Sequence, residues 1–467
     1  MKRKLKIGHQ MNDGWLDSVR CFLAGVLLMN TNRLKAELRA PSSWRFTVFG
    51  VPPSGDLSAI RGNMSIAGFL VFGLVLACCR LGLSPLVAAP GAAAFRESSP
   101  GVEHARDVIE SEPWSIQIVR LNRHQRDLEF RPMLGFGSRI GLNRLTSQLR
   151  LVPREVGRPV AAINGDFYKT EHEAFPGDPR GLFVSGGDLI SAPSGGAVFW
   201  IGSEGAPRMG EVDSAFEVTV PGGDAVSLGF NEVDGESQAV LFTSAVGAMP
   251  MDRRGLVVAL ESTNEVPLTP IRLGQATTAR VAVIRPGGSR IEPAKPWLWL
   301  ATSSKGVREI KVGSLVTLSF LSTPALNDVK TAIGGGPLLV RGGKALRVTT
   351  NKAGQRHPRS ALGWNAAHIF LVTVDGRQPG HSVGMTLPEL GAYMKSLGCL
   401  EAMNLDGGGS TELWMNGRIL NNPCYGHERE TATSLVVVRK ESGRPAGASN
   451  QAESEAAKKP GIKAATP

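Results

Sequence analysis

From residue 113 to residue 440 the sequence is a succession of short apolar runs, each soon broken by Gly, Pro, Asn or Asp. That pattern specifies strands joined by tight turns and excludes a helical bundle or a coiled coil. The 56 Gly and 30 Pro supply the turns, and the 42% of apolar residues suffices for a sizeable core. Runs at 216–220, 255–260, 279–284 and 315–320 read as strands with few chemical features, a scaffold. The expected fold class is α+β: a β-rich mixed-sheet domain with Gly-rich hairpin units and a C-terminal strand–helix–strand that carries the site.

Three segments repeat a strand, a tight glycine turn and a second strand: LFVSGGDLI at 182–190, LLVRGGKAL at 338–346 and LWMNGRIL at 413–420. Gly-Gly and Asn-Gly suit the left-handed dihedrals of two-residue hairpin turns. A glycine-bearing loop precedes each unit: Asn164-Gly165-Asp166, Gly334-Gly335-Gly336 and Asp406-Gly407-Gly408-Gly409. Three such units suit the lining of one cleft, although Gly-rich hairpins recur in β-rich proteins generally.

Residues 369–406 are the most legible stretch. A buried-strand run over 369–374 ends at Asp375-Gly376-Arg377. Thr386 and Glu389 form a capping box, and Leu387, Leu390, Met394 and Leu397 recur at helical spacing. Gly398 stops the helix, and residues 402–405 form the next strand, ending at Asp406. Strand, helix, strand implies a right-handed crossover between parallel strands. Asp375 and Asp406 then emerge together at the carboxyl ends, where open α/β sheets bind ligands.

Asn404-Leu405-Asp406-Gly407-Gly408-Gly409-Ser410-Thr411 is the sharpest motif. Consecutive glycines let the backbone approach a ligand and offer N–H donors, with the Asp and Ser flanking them. The sequence lacks GxxxxGK[ST] and HExxH, and Ser185 and Ser410 lie outside any GxSxG elbow, which argues against a nucleotide phosphate loop, a zinc hydrolase and a serine hydrolase built on either serine. Arg359, Arg377 and Arg429, set near two carboxylates, suit an anionic substrate because guanidinium matches phosphate oxygens in pairs. Any one of these arginines alone reads as a surface residue; the conjunction carries the inference.

The ordered set at 161–168 (AAINGDFY), 359–363 (RSALG), 374–377 (VDGR), 384–390 (GMTLPEL) and 404–410 (NLDGGGS) resembles the phosphodiester glycosidase family. The resemblance spans about residues 160–440. It implies hydrolysis of a sugar-1-phosphate diester at the anomeric carbon. Asp406 and Asp375 would then be the catalytic carboxylates, in undecided order, with Glu428 as a reserve acid or base. Arg359, Arg377 and Arg429 would hold phosphate. Asn164, Asp166, Asn404, Gly407, Gly408, Gly409 and Ser410 would complete the substrate site. The family's first motif often reads Asn-Gly-Gly-Phe-Phe, so Asp166 departs from it. No cofactor and no metal ligand set is expected. Two alternatives stay open. One is a glycan-binding or exopolysaccharide accessory protein on the same fold. The other is a cation-dependent phosphodiesterase cutting at phosphorus.

The charge and the leader bear on compartment and partners. Residues 1–94 carry 11 Lys+Arg against 4 Asp+Glu, while residues 95–467 carry 41 against 37. Most of the net +11 therefore sits in the leader, and nucleic acid is not an expected partner. Residues 66–79 (IAGFLVFGLVLACC) are too short to span a bilayer, which needs about 20 residues. They fit the apolar core of a signal within a 64–94 leader, with cleavage after Ala92-Ala93-Ala94. The expected product is secreted or periplasmic and envelope-associated, held to a membrane only by an uncleaved leader or a lipid on Cys78. Residues 1–63 read as an extension from a start codon assigned too early. Residues 95–112 read as a linker, 113–440 as the phosphodiester glycosidase-like domain and 441–467 as a disordered tail. Beyond the leader only Cys399 and Cys424 remain, either as one disulfide or as two isolated thiols.

Overall fold

The computed structural model describes residues 94–440 except 203, 233–236, 251–254, 265–266, 292–297, 305–306, 308 and 351. The extension 1–63, the leader up to residue 93 and the tail 441–467 lie outside the described residues.

The described chain is β-rich, with three main sheets. The first has eight strands in the order Arg96–Ser99, Val102–Ile109, Trp114–Asn122, His368–Val374, Arg359–Trp364, Glu401–Asn404, Leu338–Arg341, Lys344–Ala345. Its central strands are buried along nearly their whole length, which is why 369–374 reads as an unbroken apolar run. Helix Leu387–Ser396 covers one face, with Leu387, Leu390 and Met394 in a core shared with Phe370 and Val372. Its capping box forms as the sequence implies. Glu389 N–H donates to Thr386 Oγ1 at 3.3 Å, and Thr386 N–H donates to Glu389 Oε2 at 2.8 Å.

An eleven-stranded sheet takes up the scaffold region, including Pro207–Thr219, Leu256–Ser262, Ala276–Pro286 and Leu315–Thr323. Phe216, Phe230 and Phe320 pack edge to face within its core. A five-stranded sheet runs Arg418–Ile419, Leu413–Met415, Arg158–Asn164, Thr433–Arg439, Leu128–Leu134. Each of the three glycine hairpins pairs antiparallel across its turn, and each belongs to a different sheet.

Two expectations are corrected. Residues 95–112 are not a linker. Val102–Ile109 pairs with Trp114–Asn122 along its full length, and Arg96–Ser99 adds an edge strand. The segment looks polar because only Val102 and Ala105 of Val102–Ile109 are buried, one on each face of the strand. The strands His368–Val374 and Glu401–Asn404 are parallel, as expected, but they are not neighbours. Arg359–Trp364 lies between them, antiparallel to both. It hairpins directly into His368–Val374, with Asn365 Oδ1 accepting from the N–H groups of Ala367 and His368, so it occupies the edge first. Cys399 and Cys424 are free, with Cys399 buried.

Candidate functional site

The inserted strand builds the site. Because Arg359–Trp364 runs opposite to its neighbours, its first residue lies at the same sheet edge as their last ones. Arg359 registers with Val374, and Leu405 N–H donates to Ser360 O at 2.8 Å. Asp375, Arg359 and Asp406 thus share one edge.

The other two sheets deliver their loops to this edge. Asp406 N–H donates to Gly165 O at 3.0 Å, and Gly336 N–H donates to Asn404 O at 2.7 Å. Asn164 is the hub. Its Nδ2 donates to Asp406 O at 2.7 Å, and its Oδ1 accepts from Ser360 Oγ at 2.6 Å and Glu412 N–H at 3.1 Å. Asn404 Nδ2 donates to Gly336 O and Leu405 O. Both residues, expected at the substrate, are buried, and the Nδ2 of each donates to protein carbonyls. Asp166 is likewise buried. Its Oδ1 accepts from Phe167 N–H at 2.7 Å and its Oδ2 from Gly181 N–H at 2.8 Å. A Cβ at Gly334 would lie 2.3 Å from Asp166 Oδ2, so glycine there is a packing requirement. The three glycine loops read from the sequence therefore do converge, locked to one another by side chains.

The cationic side is less saturated. Arg359 is 8% exposed, with Nε donating to Met385 O at 2.9 Å and Nη2 to Gln355 O at 2.7 Å. It forms no ion pair among the described residues. Burial, and then the nearby Arg377 charge, push its pKa down to about 10. Arg377 adopts φ of 60° and bonds His357 Nδ1 at 3.2 Å. Its guanidinium lies along Gly408, where a Cβ would be 3.0 Å from Nη2. A left-handed non-glycine residue costs of order 1 kcal/mol or more, and such strain concentrates where a side chain must be aimed. The N–H groups of Gly407 and Gly408 are already taken, by Asp406 Oδ1 and Pro358 O, each at 2.9 Å. At these two glycines the loop lacks the free donors expected of it, and at Gly408 it admits the Arg377 guanidinium closely.

The carboxylates differ in setting. Asp406 is half-buried, and burial pushes its pKa up to about 6 against the pull of Ser410, Gly407 N–H and the Arg429 charge. Burial raises Asp166 to about 7, with the neighbouring Asp406 charge adding to the rise. Asp375 is buried and fully engaged. Its Oδ2 meets His381 Nε2 at 2.9 Å, and its Oδ1 accepts Asn422 N–H at 2.8 Å. Glu428 does not join this group, since its carboxylate accepts from Thr146 N–H and Oγ1, both at 2.9 Å. Arg429 lies over the Tyr168 ring and is held by Glu171, with Asp406 among the charges that raise its pKa.

Sequence reasoning missed His381, Tyr168, Glu412 and Tyr425. His381 lies six positions beyond Asp375 in the same loop, a spacing with no motif value until the turn is seen. Tyr425 sits on Gly409, where a Cβ would come 2.3 Å from its ring. Glu412 is wholly buried, accepts Arg429 N–H at 2.8 Å and is raised to about 8 by burial.

A raised carboxylate pKa has a definite sign in stability. The folded state holds the Asp166 proton more tightly than the unfolded state, so its contribution is intact below about pH 4 and is lost as pH rises toward 7. Asp166→Asn removes this titration. The stability of the variant relative to wild type is therefore expected to rise between pH 4 and 7, measured by urea unfolding at several pH values. A pH-independent difference contradicts the assignment.

The sequence model of the phosphodiester glycosidase family matches residues 273–438, and over that span the resemblance read from the motifs is borne out. The uncharacterized SPbeta prophage-derived protein YomE of Bacillus subtilis (strain 168) is 36% identical over 83 residues, 18% of this chain and 13% of that protein. The structure resembles a hypothetical protein from Synechocystis, with a TM-score of 0.60 at 21% identity, covering 74% of this chain and 64% of that one. It also resembles a protein from Burkholderia pseudomallei K96243, with a TM-score of 0.53 at 19% identity, covering 70% and 74%. The two structures share the fold. The chain spans a small part of the first relative and just under two thirds of the Synechocystis protein.

Proposed function

We propose, on the premise that residues 273–438 carry a phosphodiester glycosidase domain, that this chain hydrolyses the glycosidic bond of a sugar-1-phosphate diester. The family match supports a glycosidase-type hydrolase. The observation that carries the finer reading is Arg359, a buried cation with no carboxylate partner among the described residues, beside Arg377 and at the same edge as Asp406. A buried charge left uncompensated by protein calls for an anionic ligand. A phosphodiester supplies one.

In this reading Arg359 and Arg377 hold the phosphate, which leaves as a monoester and needs little protonation. Asp406, poised near pH 6, either takes a proton from the attacking water or attacks the anomeric carbon itself. Water supplies the new C1 hydroxyl, and the bond from C1 to the bridging oxygen breaks. Asp375 acts through His381 and through the 421–422 backbone, positioning both rather than reacting. The Arg429 charge favours the ionised form of Asp406. Export and an envelope or extracellular polysaccharide substrate belong to the same proposal and rest on the 66–79 run.

The test uses the full chain with N-acetylglucosamine 1-phosphate diesters, following free sugar and sugar phosphate separately, with and without chelator. Free sugar, insensitive to chelator, is the expected result. Sugar phosphate moves the chemistry to phosphorus and overturns the proposal. Glycan binding without turnover of any diester favours the accessory-protein reading.

A further inference from the structure

A second cavity, of about 680 Å³, lies outside the Asp406 cluster and is lined in part by Ser98, Thr146, Arg150, Arg158, Trp414 and Asn416. Its volume falls within the roughly 300–1,000 Å³ of small-ligand sites. Four separate pieces of chain build it: the edge strand Arg96–Ser99, helix Leu145–Arg150, the start of strand Arg158–Asn164 and the third glycine hairpin. The hairpin is fixed there by Asn416, which turns at φ of 46° and donates from Nδ2 to Ser98 Oγ at 2.5 Å.

Arg150 and Arg158 are both exposed and form no ion pair among the described residues. Thr146 presents its N–H and Oγ1 to Glu428, so that nearby acid is already occupied. Trp414 is half-buried, packed against the Met133, Leu149 and Val152 cluster. Its indole N–H makes no hydrogen bond among the described residues. One aromatic face, two guanidinium forks and amide and hydroxyl groups form a specific chemical combination. The C–H face of a pyranose packs on an indole, and its acidic substituents pair with guanidinium.

We propose that this cleft binds an acidic oligosaccharide, a chain of sugars bearing carboxylates or phosphates. The cleft is coupled to the first site by one short segment. Glu428 holds Thr146 in its wall, and the next residue, Arg429, donates its N–H to Glu412 and faces Asp406. A bound polymer is thereby held one loop away from the reacting carboxylate. The binding claim does not depend on the hydrolysis proposed above, so either can fail alone.

The experiment titrates the full chain calorimetrically with oligogalacturonate, a neutral galacto-oligosaccharide and a short polyphosphate at fixed salt. Oligogalacturonate is expected to bind. The double variant Arg150→Ala/Arg158→Ala is expected to weaken it about tenfold or more. Trp414→Phe keeps the apolar packing and is expected to weaken oligogalacturonate binding while leaving polyphosphate unaffected. No binding by the wild type, undiminished binding by the double arginine variant, or a Trp414→Phe variant that binds oligogalacturonate as wild type does would each overturn the proposal. The last result would reduce the cleft to charge attraction alone.

Discussion

Asp406→Asn is expected to lower kcat by about a thousandfold or more while leaving the fold intact and KM within a few-fold. The side chain shapes are the same, and Asn can still accept from Gly407 N–H through its oxygen, as Asp406 Oδ1 does at 2.9 Å. What disappears is the negative charge and the site for a proton. The accompanying stability change has the opposite sign. Burial raises the Asp406 pKa to about 6, so the folded state is penalised for its ionised form above that pH. The neutral amide escapes the penalty. At pH 8 the variant is expected to be at least as stable as wild type, and at pH 4 the advantage vanishes. Loss of turnover with gain of stability is the signature of a group retained for its chemistry. A merely structural Asp406 would lose both together. The limb of the wild-type rate profile near pH 6 is also expected to be absent from any residual activity. Retention of full kcat in a folded variant removes Asp406 from the mechanism.

The sequence declared its chemistry where the chain itself turns. Asp375 and Asp406 follow strands and precede glycines, and the capping box between them is written in Thr386 and Glu389. The repetition of the three glycine loops suited a shared cleft but did not by itself specify one, since such hairpins recur in β-rich proteins. What the sequence hid is the consequence of long-range pairing. Nothing local says that Arg359–Trp364 slips between the two parallel strands, yet that insertion brings Arg359 to the edge with both carboxylates. Nor does a local signal separate a substrate-binding Asn from a structural one. Asn164 and Asn404 sit among the motifs around Asp406, but the Nδ2 of each donates to a backbone carbonyl more than 60 positions distant. Glu428 and His381 were misjudged for the same reason. Each owes its role to one partner, Thr146 or Asp375, that the loops bring together. The polar look of 95–112 concealed a strand because Val102–Ile109 buries only Val102 and Ala105, one on each face, which leaves no alternating apolar pattern to read.

The second large effect is expected from a residue that touches no substrate. Asn164 joins the five-stranded and eight-stranded sheets at the site: the strand that bears it, Ser360 on the inserted strand, and the backbone of Asp406 and Glu412. It is 1% exposed, so water cannot replace any of these bonds in Asn164→Ala. Three groups are left buried and unpaired, at roughly 1–3 kcal/mol for each that cannot relax. A loss of about 3 kcal/mol in urea unfolding is expected, a large fraction of the stability of a typical domain. The second readout separates this residue from an ordinary core position. Asn164 Nδ2 fixes the carbonyl of Asp406 itself, so its loss frees the carboxylate to shift relative to Arg359. At a temperature where the variant is still folded, kcat is expected to fall by about tenfold or more, because reacting groups lose rate steeply with small displacements. Asn164→Asp refines the test. It keeps the acceptor for Ser360 and Glu412 and, while ionised, removes only the donor to Asp406, so its stability is expected to recover toward wild type at low pH, where the new carboxyl is neutral and can donate again, while turnover near neutral pH stays depressed. A variant that unfolds early but turns over normally when folded would make Asn164 a structural bolt with no hold on the reaction.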